Sequence, residues 1–196
     1  IGIIGVVSAL TLPTLIQDTQ NKELEVRLKT TFNQMNQISQ RFYADNGISF
    51  TEWASDRGNV LDYAAEFMKY YKGNLKASDY TYQDDISTAP YPMFLLGGQK
   101  SDSVLCDDGG FNSEVGGRLF FFNNTPPAGV NGPIICVDIN GYQRPNTFGR
   151  DIFVFQFTTD NMVIPMGQRH RTNIQPEDEG FNDDQQFFYE GETYCS

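Results

Sequence analysis

The residues best suited to binding a metal ion lie in the stretch 137–151. Asp138, Asn140 and Asp151 supply hard oxygen ligands, and the Asp-x-Asn-Gly order that ends at Gly141 is typical of the start of a calcium loop. In an EF-hand loop, however, the glycine comes later and a bidentate Glu closes the site, and neither feature is present here. An Asn-Gly turn between two strands accounts for the same residues. Two interpretations therefore stand, a calcium site formed by Asp138, Asn140 and Asp151 or a plain turn.

The residues that usually catalyse reactions show no productive grouping. His170 is the single histidine and lies between Arg169 and Arg171, whereas a catalytic histidine needs a nucleophile and an orienting carboxylate beside it. The paired acids at 107–108 and 183–184 lie in Gly- and Asn-rich stretches, where charges are normally solvated. The sequence predicts that the protein is not an enzyme and uses no cofactor apart from the calcium considered above.

The three cysteines, Cys106, Cys136 and Cys195, have none of the close spacings of a zinc site. One disulfide and one remaining thiol is the simplest interpretation. Three pairings are possible, and the pairing of Cys106 with Cys136 closes the shortest loop. A disulfide would place the protein in an oxidising, extracytoplasmic compartment.

Length and charge narrow the class of protein. A chain of 196 residues can bury one sizeable core with one appended element. Its net charge is −11, and it has only 14 Lys and Arg residues. Binding to a phosphate backbone needs clustered cations, so nucleic acid is not expected as the main partner.

The N-terminal segment 1–16 is apolar apart from three hydroxyl residues, and the first charge is Asp18. A helix needs ~20 apolar residues to span the hydrocarbon core, so this segment is slightly short by itself. A signal peptide is the competing interpretation, but the basic start and the small-residue cleavage site are both missing. We predict a helix that begins in lipid, with a bend at Pro13.

An amphipathic pattern follows over residues 17–46 and ends at Asn46-Gly47, a common helix stop. The two parts form one predicted helix, 1–46, and residues 47–196 form a globular part that we call the head. The apolar stripe of the second half consists of Leu24, Leu28, Phe32, Met35, Ser39 and Phe42.

The head is predicted to be α+β, with the long N-terminal helix packed on an antiparallel sheet. A second helix is expected over about 59–72, and residues 170–196 are expected to form an acidic loop. The triple Phe of residues 119–124 predicts either a sheet buried on both faces or a subunit interface. Strands are predicted at 93–96, 118–122, 133–137, 151–157 and 162–165, with a hairpin turn at Asp160-Asn161.

The opening IIGVVSALTLPTLIQ, residues 3–17, resembles the N-terminal segment of bacterial type IV pilins and type II secretion pseudopilins. The shared features are Ile-Ile-Gly, a small and apolar stretch, a Pro and then an amphipathic helix. The family's own start, which ends in a Glu after the peptidase cleavage site, is absent. If the alignment holds, about nine residues precede Ile1, which brings the apolar run past the ~20 needed to span.

The resemblance implies a structural subunit of a pilus-like extracellular filament. The helix would wait in the bacterial inner membrane, after processing by the prepilin peptidase, and then be transferred by the pilus or secretion machinery into a helical homopolymer with roles such as cell adhesion. A secretion pseudopilin is the alternative within the family, and some pseudopilins bind calcium late in the domain. A membrane-anchored binding protein that never polymerises is the alternative outside it. The implied polymerisation core comprises Ile1, Ile3, Ile4, Gly5, Val6, Val7, Ala9, Leu10, Leu12, Pro13, Leu15 and Ile16.

Overall fold

A computed structural model describes residues 2–55, 60–73, 75–78, 92–100, 110–123 and 133–166, with the backbone alone for 2–16, 55, 60–63, 76–78 and 123. Helix α1 spans Gly2–Asn46 and continues through Pro13 without interruption. It ends as predicted at Gly47, whose φ of 75° is the left-handed conformation that commonly terminates a helix.

The predicted stripe is the face by which α1 packs on the rest of the chain. Met35 and Phe42 are buried in the main core, and Leu24, Leu28 and Phe32 pack against it. The hydroxyl of Ser39 is buried and donates a hydrogen bond to the Asn161 carbonyl at 2.9 Å, which explains how a polar residue fits in the stripe.

Two short helices follow α1. Helix α2, Phe50–Ser55, was not predicted, although Ser49 and Glu52 form a capping box. The Ser49 hydroxyl accepts from the Glu52 amide at 3.1 Å, and the Glu52 carboxylate accepts from the Ser49 amide at 3.1 Å. Helix α3, Val60–Met68, lies within the predicted range 59–72. Both helices surround Phe42, whose ring lies 5.3 Å from Phe50 and 6.2 Å from Phe67.

The head contains one antiparallel sheet in which each strand pairs with the next along the chain, in the order β1 to β6. The α+β prediction is therefore confirmed, and the Asp160-Asn161 turn joins β5 and β6 with Asn161 at φ 65°. The strands are β1 Leu75–Ser78, β2 Gly110–Ser113, β3 Leu119–Asn123, β4 Ile134–Asp138, β5 Ile152–Phe157 and β6 Val163–Pro165.

The sheet is buried on both faces, which accounts for the run of phenylalanines in β3. Phe120 and Phe122 point towards the helices and join the main core. Phe121 points to the other face and packs in a second cluster with Met93 and Cys136. All three rings are fully buried within the chain, so none of them is available as the interface considered from the sequence.

One predicted strand does not form, and two strands of the structure were not predicted. Residues 93–96 are not a strand, because Phe94 makes only isolated bridges to Lys100 and Thr147. The strands β1 and β2 were missed, since Leu75–Ser78 and Gly110–Ser113 are short, and neither has the β-branched or aromatic alternation that signals a strand.

Candidate assembly surface

Helix α1 leaves the head at Leu24. Residues 17–23 are all exposed, and among the helix residues whose side chains are described, Leu24 is the first that packs against the core. The 22 residues from Gly2 to Glu23 correspond to about 33 Å of helix at 1.5 Å per residue. The predicted polymerisation core, Ile1 to Ile16, is helical from Gly2 onward, and its side chains and Ile1 lie outside the described part.

Arg27 binds the head at the point where helix α1 leaves it. Its guanidinium donates to the carbonyls of Gly116 at 3.3 Å and Ile139 at 3.4 Å, which belong to the β2–β3 turn and the β4–β5 loop. The same group donates to Glu23 at 2.8 Å, one turn back along α1. One side chain thus joins the helix to two loops of the sheet.

The two loops contacted by Arg27 also contact each other. Gly141 has φ 69°, and a Cβ atom added there would lie 2.1 Å from the Gly117 carbonyl oxygen. Only glycine allows the backbones to approach so closely at this φ. Gly141 was predicted to be part of a turn, and that turn packs directly against the β2–β3 turn.

Asn36 joins α1 to the last strand of the sheet. Its side-chain amide donates to the Val163 carbonyl at 3.1 Å, and its side-chain oxygen accepts from the Val163 amide at 3.0 Å. This pair of bonds replaces part of the strand partner that β6 lacks at the edge of the sheet. Sequence reasoning missed Asn36, although a polar residue beside an apolar stripe is a usable signal.

The predicted calcium ligands lie around the β4–β5 loop, where the structure gives them other partners. Asp138 and Asp151 are fully buried. The Asp151 carboxylate accepts the backbone amides of Asn146 at 2.8 Å and Thr147 at 2.5 Å, and Asp138 accepts the Asn140 amide at 3.1 Å. Backbone amides therefore satisfy acceptor atoms of both buried side chains.

Whether the loop also takes a cation stays a prediction. The side-chain oxygens of Asn140 and Asn146 are buried, and neither has a hydrogen-bond partner among the described residues. The described ranges contain no group of three or more His, Cys, Asp or Glu residues able to hold a metal. Asp138, Asn140 and Asp151 therefore remain candidate ligands on the strength of the sequence pattern.

Two other predictions concern residues that the structure leaves out. Cys136 lies in β4, fully buried on the sheet face opposite α1. Cys136 is disulfide-bonded, and because Cys106 and Cys195 lie outside the described residues, the pairing stays a prediction. His170 and the acid pairs at 107–108 and 183–184 lie outside them too.

Comparison with known proteins adds one match. A model described as a family of unknown function, DUF6613, matches residues 14–196. No curated protein and no solved structure matches the chain. The family match begins at Thr14, beyond most of the apolar segment.

In the parts of the chain that the structure describes, no helix is both long and apolar enough to cross a membrane.

Proposed function

We propose that this chain, which belongs to the DUF6613 family, is a structural subunit of a type IV pilus-like extracellular filament. It polymerises through the apolar N-terminal part of α1. Before assembly the same segment holds the subunit in the bacterial inner membrane, where the prepilin peptidase and the assembly machinery act on it. The resemblance of residues 3–17 to pilins motivates this proposal.

The observation that carries the proposal is the division of α1 at Leu24. Residues 24–42 use their apolar stripe to bind the head, and the exposed residues 17–23 separate that contact from the apolar segment 1–16. A helix segment that is apolar on all sides is unstable in water and needs lipid or other helices around it. Because residues 24–42 already use the apolar stripe of α1 against the described core of the head, lipid and other copies of the chain are the proposed partners of residues 1–16.

Polymerisation through such a segment produces a filament for a geometric reason. The apolar helix of one copy would contact the apolar helices of other copies at a different height, so the contact is head-to-tail and does not close on itself. Gly2, Gly5, Ser8 and Ala9 are small residues that allow helices to approach closely.

The test is electron microscopy of filaments sheared from the native cells, with mass spectrometry of their composition. We expect this chain in helical fibres, with residues 1–16 at the centre. Fibres without this chain, together with a membrane fraction that contains it as isolated subunits, would exclude the pilus subunit. That outcome would leave the secretion pseudopilin or the anchored binding protein.

A substitution in the apolar segment tests polymerisation separately from the folding of the head. Val7→Asp places a charge in the apolar segment, where an unpaired charge is costly to bury, and we expect it to abolish incorporation into fibres. Gln20→Asp adds the same charge at an exposed position and is expected to leave incorporation unchanged. Fibres that contain Val7→Asp at the wild-type level would contradict the proposal. The fluorescence of Trp53 reports that the head is folded in both variants.

A further inference from the structure

The end of the sheet from which α1 leaves carries exposed basic and aromatic side chains. The β4–β5 loop contributes Tyr142, Arg144 and Arg150, and all three are exposed. Lys100 is also exposed and lies beside them, because Phe94 bridges both Lys100 and Thr147. We call Lys100, Tyr142, Arg144 and Arg150 the helix-exit surface.

The charge of this surface is opposite to that of the chain. The whole protein has a net charge of −11. In the loop at residues 139–151 the only acid is Asp151, which is fully buried and bonded to backbone amides. In the adjoining β2–β3 turn, Glu114 is exposed, and it is the single exposed acid in that turn. Among the described residues of these two loops and the segment that ends at Lys100, three exposed cations therefore accompany one exposed carboxylate, and the exposed helix residues 17–23 add two acids and one lysine.

The surface also faces the direction in which the apolar segment extends. Arg27 lies between the two loops of this end, and the helix continues from there towards residue 2. From Ile16, the last apolar residue, to Arg27 is about 16 Å of helix. The polar headgroup layer on one side of a bilayer is about 5–8 Å thick. A gap of about 10 Å is left, which is near the Debye length at physiological salt.

We propose that the helix-exit surface binds the anionic headgroups of the membrane that holds the subunit before assembly. This inference rests on the proposed membrane stage. Basic side chains just outside an apolar helix are attracted to anionic lipid, and aromatic rings such as that of Tyr142 favour the headgroup region. The contact orients the head above the bilayer and is lost when the helix enters the filament.

The experiment is hydrogen–deuterium exchange of the full chain in lipid nanodiscs with one copy per disc. One set of discs contains phosphatidylcholine and the other contains phosphatidylglycerol as well. We expect amides of residues 139–151 to exchange more slowly in the anionic discs, by about fivefold for each basic side chain that reaches the headgroups. The difference should disappear in high salt, because salt screens the attraction.

Variants test which side chains are responsible. Arg144→Gln and Arg150→Gln should each remove a share of the slowing. Arg41→Gln removes the same charge at the opposite end, where Arg41 lies beside Met162, and should leave the slowing unchanged. Backbone exchange in the core strands, which stays slow if the head is folded, serves as the internal reference.

Two outcomes would overturn the inference and leave the proposed function intact. One is equal exchange of residues 139–151 in both kinds of disc. The other is slowing that appears only in discs with several copies and is independent of lipid charge, which would identify a second copy as the partner. A chain that does not enter discs of either kind would instead refute the membrane stage itself.

Discussion

Gly141 shows how one residue sets the arrangement of the loops at the helix-exit end. We expect Gly141→Ala to lower the free energy of unfolding by more than about 2 kcal/mol, because left-handed backbone strain of about 1–2 kcal/mol adds to the contact with Gly117. Gly98→Ala is the matched control, since Gly98 has φ 82° and open space around it. Urea denaturation of the full chain in detergent, monitored by Trp53 fluorescence, measures the free energy of unfolding of both variants. Equal losses for the two variants would show that the close contact contributes nothing.

Asn36 provides the second test at the residue scale. Asn36→Ala leaves both backbone groups of Val163 without their partner, and Val163 is fully buried. The expected loss of stability is about 1–3 kcal/mol. Gln37→Ala, at the exposed neighbouring position, is expected to change stability by less than about 0.5 kcal/mol. A neutral Asn36→Ala would mean that water replaces the side chain without cost.

Glu25 gives a prediction about pH. A hydrogen bond from Lys29, together with the charge of that ammonium group, lowers the pKa of Glu25 below its ordinary value of 4.5. The folded state therefore favours the ionised form, so the stabilisation is present above the ordinary pKa and is lost as the pH falls through the lowered one. NMR titration should find the lowered pKa in the wild type and an ordinary one in Lys29→Gln. Lys22→Gln should leave it nearly unchanged.

At the residue scale, the role of a residue can be predicted from the sequence where the type of side chain alone determines that role. The helix stop at Gly47 and the turn at Asn161 were predicted, because few residues adopt a left-handed conformation. The roles of Arg27 and Asn36 were not predicted. Each depends on backbone groups more than 80 residues away, as the separations of 89 and 127 residues show. No local pattern contains that information.

Among the elements, α1 depends most on the aromatic cluster at its C-terminal end. Phe42 is almost fully buried among Phe50, Phe67 and Trp53, whereas its neighbour Tyr43 is 43% exposed. We expect Phe42→Ala to lower the free energy of unfolding by about 3–5 kcal/mol. Tyr43→Ala should cost much less, because it leaves no cavity in the core. Denaturation curves of the two variants, recorded under one set of conditions, compare them directly.

The helices and strands with the clearest repeat of apolar residues were the ones predicted correctly. The long amphipathic stripe of α1 and the four apolar strands β3 to β6 agree with prediction, because burial requires repeated apolar positions. The strands β1 and β2 were missed since each gains its stability by pairing with a neighbour, as Leu75 does with Ser113. Residues 93–96 were predicted as a strand because they are apolar, but of these only Met93 packs in the cluster on the second face of the sheet, and Leu96 is exposed.

For the whole molecule, the cysteines give a test of the compartment. We expect protein isolated from native cells to contain one disulfide and one free thiol. Alkylation without reduction, followed by mass spectrometry of the peptides, counts the free thiols and identifies the pairing among Cys106, Cys136 and Cys195. Three alkylated thiols in protein isolated from native cells would contradict the prediction. The burial of Cys136 calls for alkylation of the unfolded chain, so that a buried thiol is not mistaken for a bonded one.

The bonds between Asn36 and Val163 also have a consequence for biosynthesis. They join residues 127 positions apart in sequence, so the ribosome completes α1 long before β6 exists. At about 5–20 residues per second, that interval lasts roughly 6 to 25 seconds. During it the apolar stripe of α1 has no β6 to close over it, and the newly made helix is exposed to aggregation. Until the last hairpin is made, the Asn36 side chain also lacks the Val163 backbone groups that it binds in the folded chain.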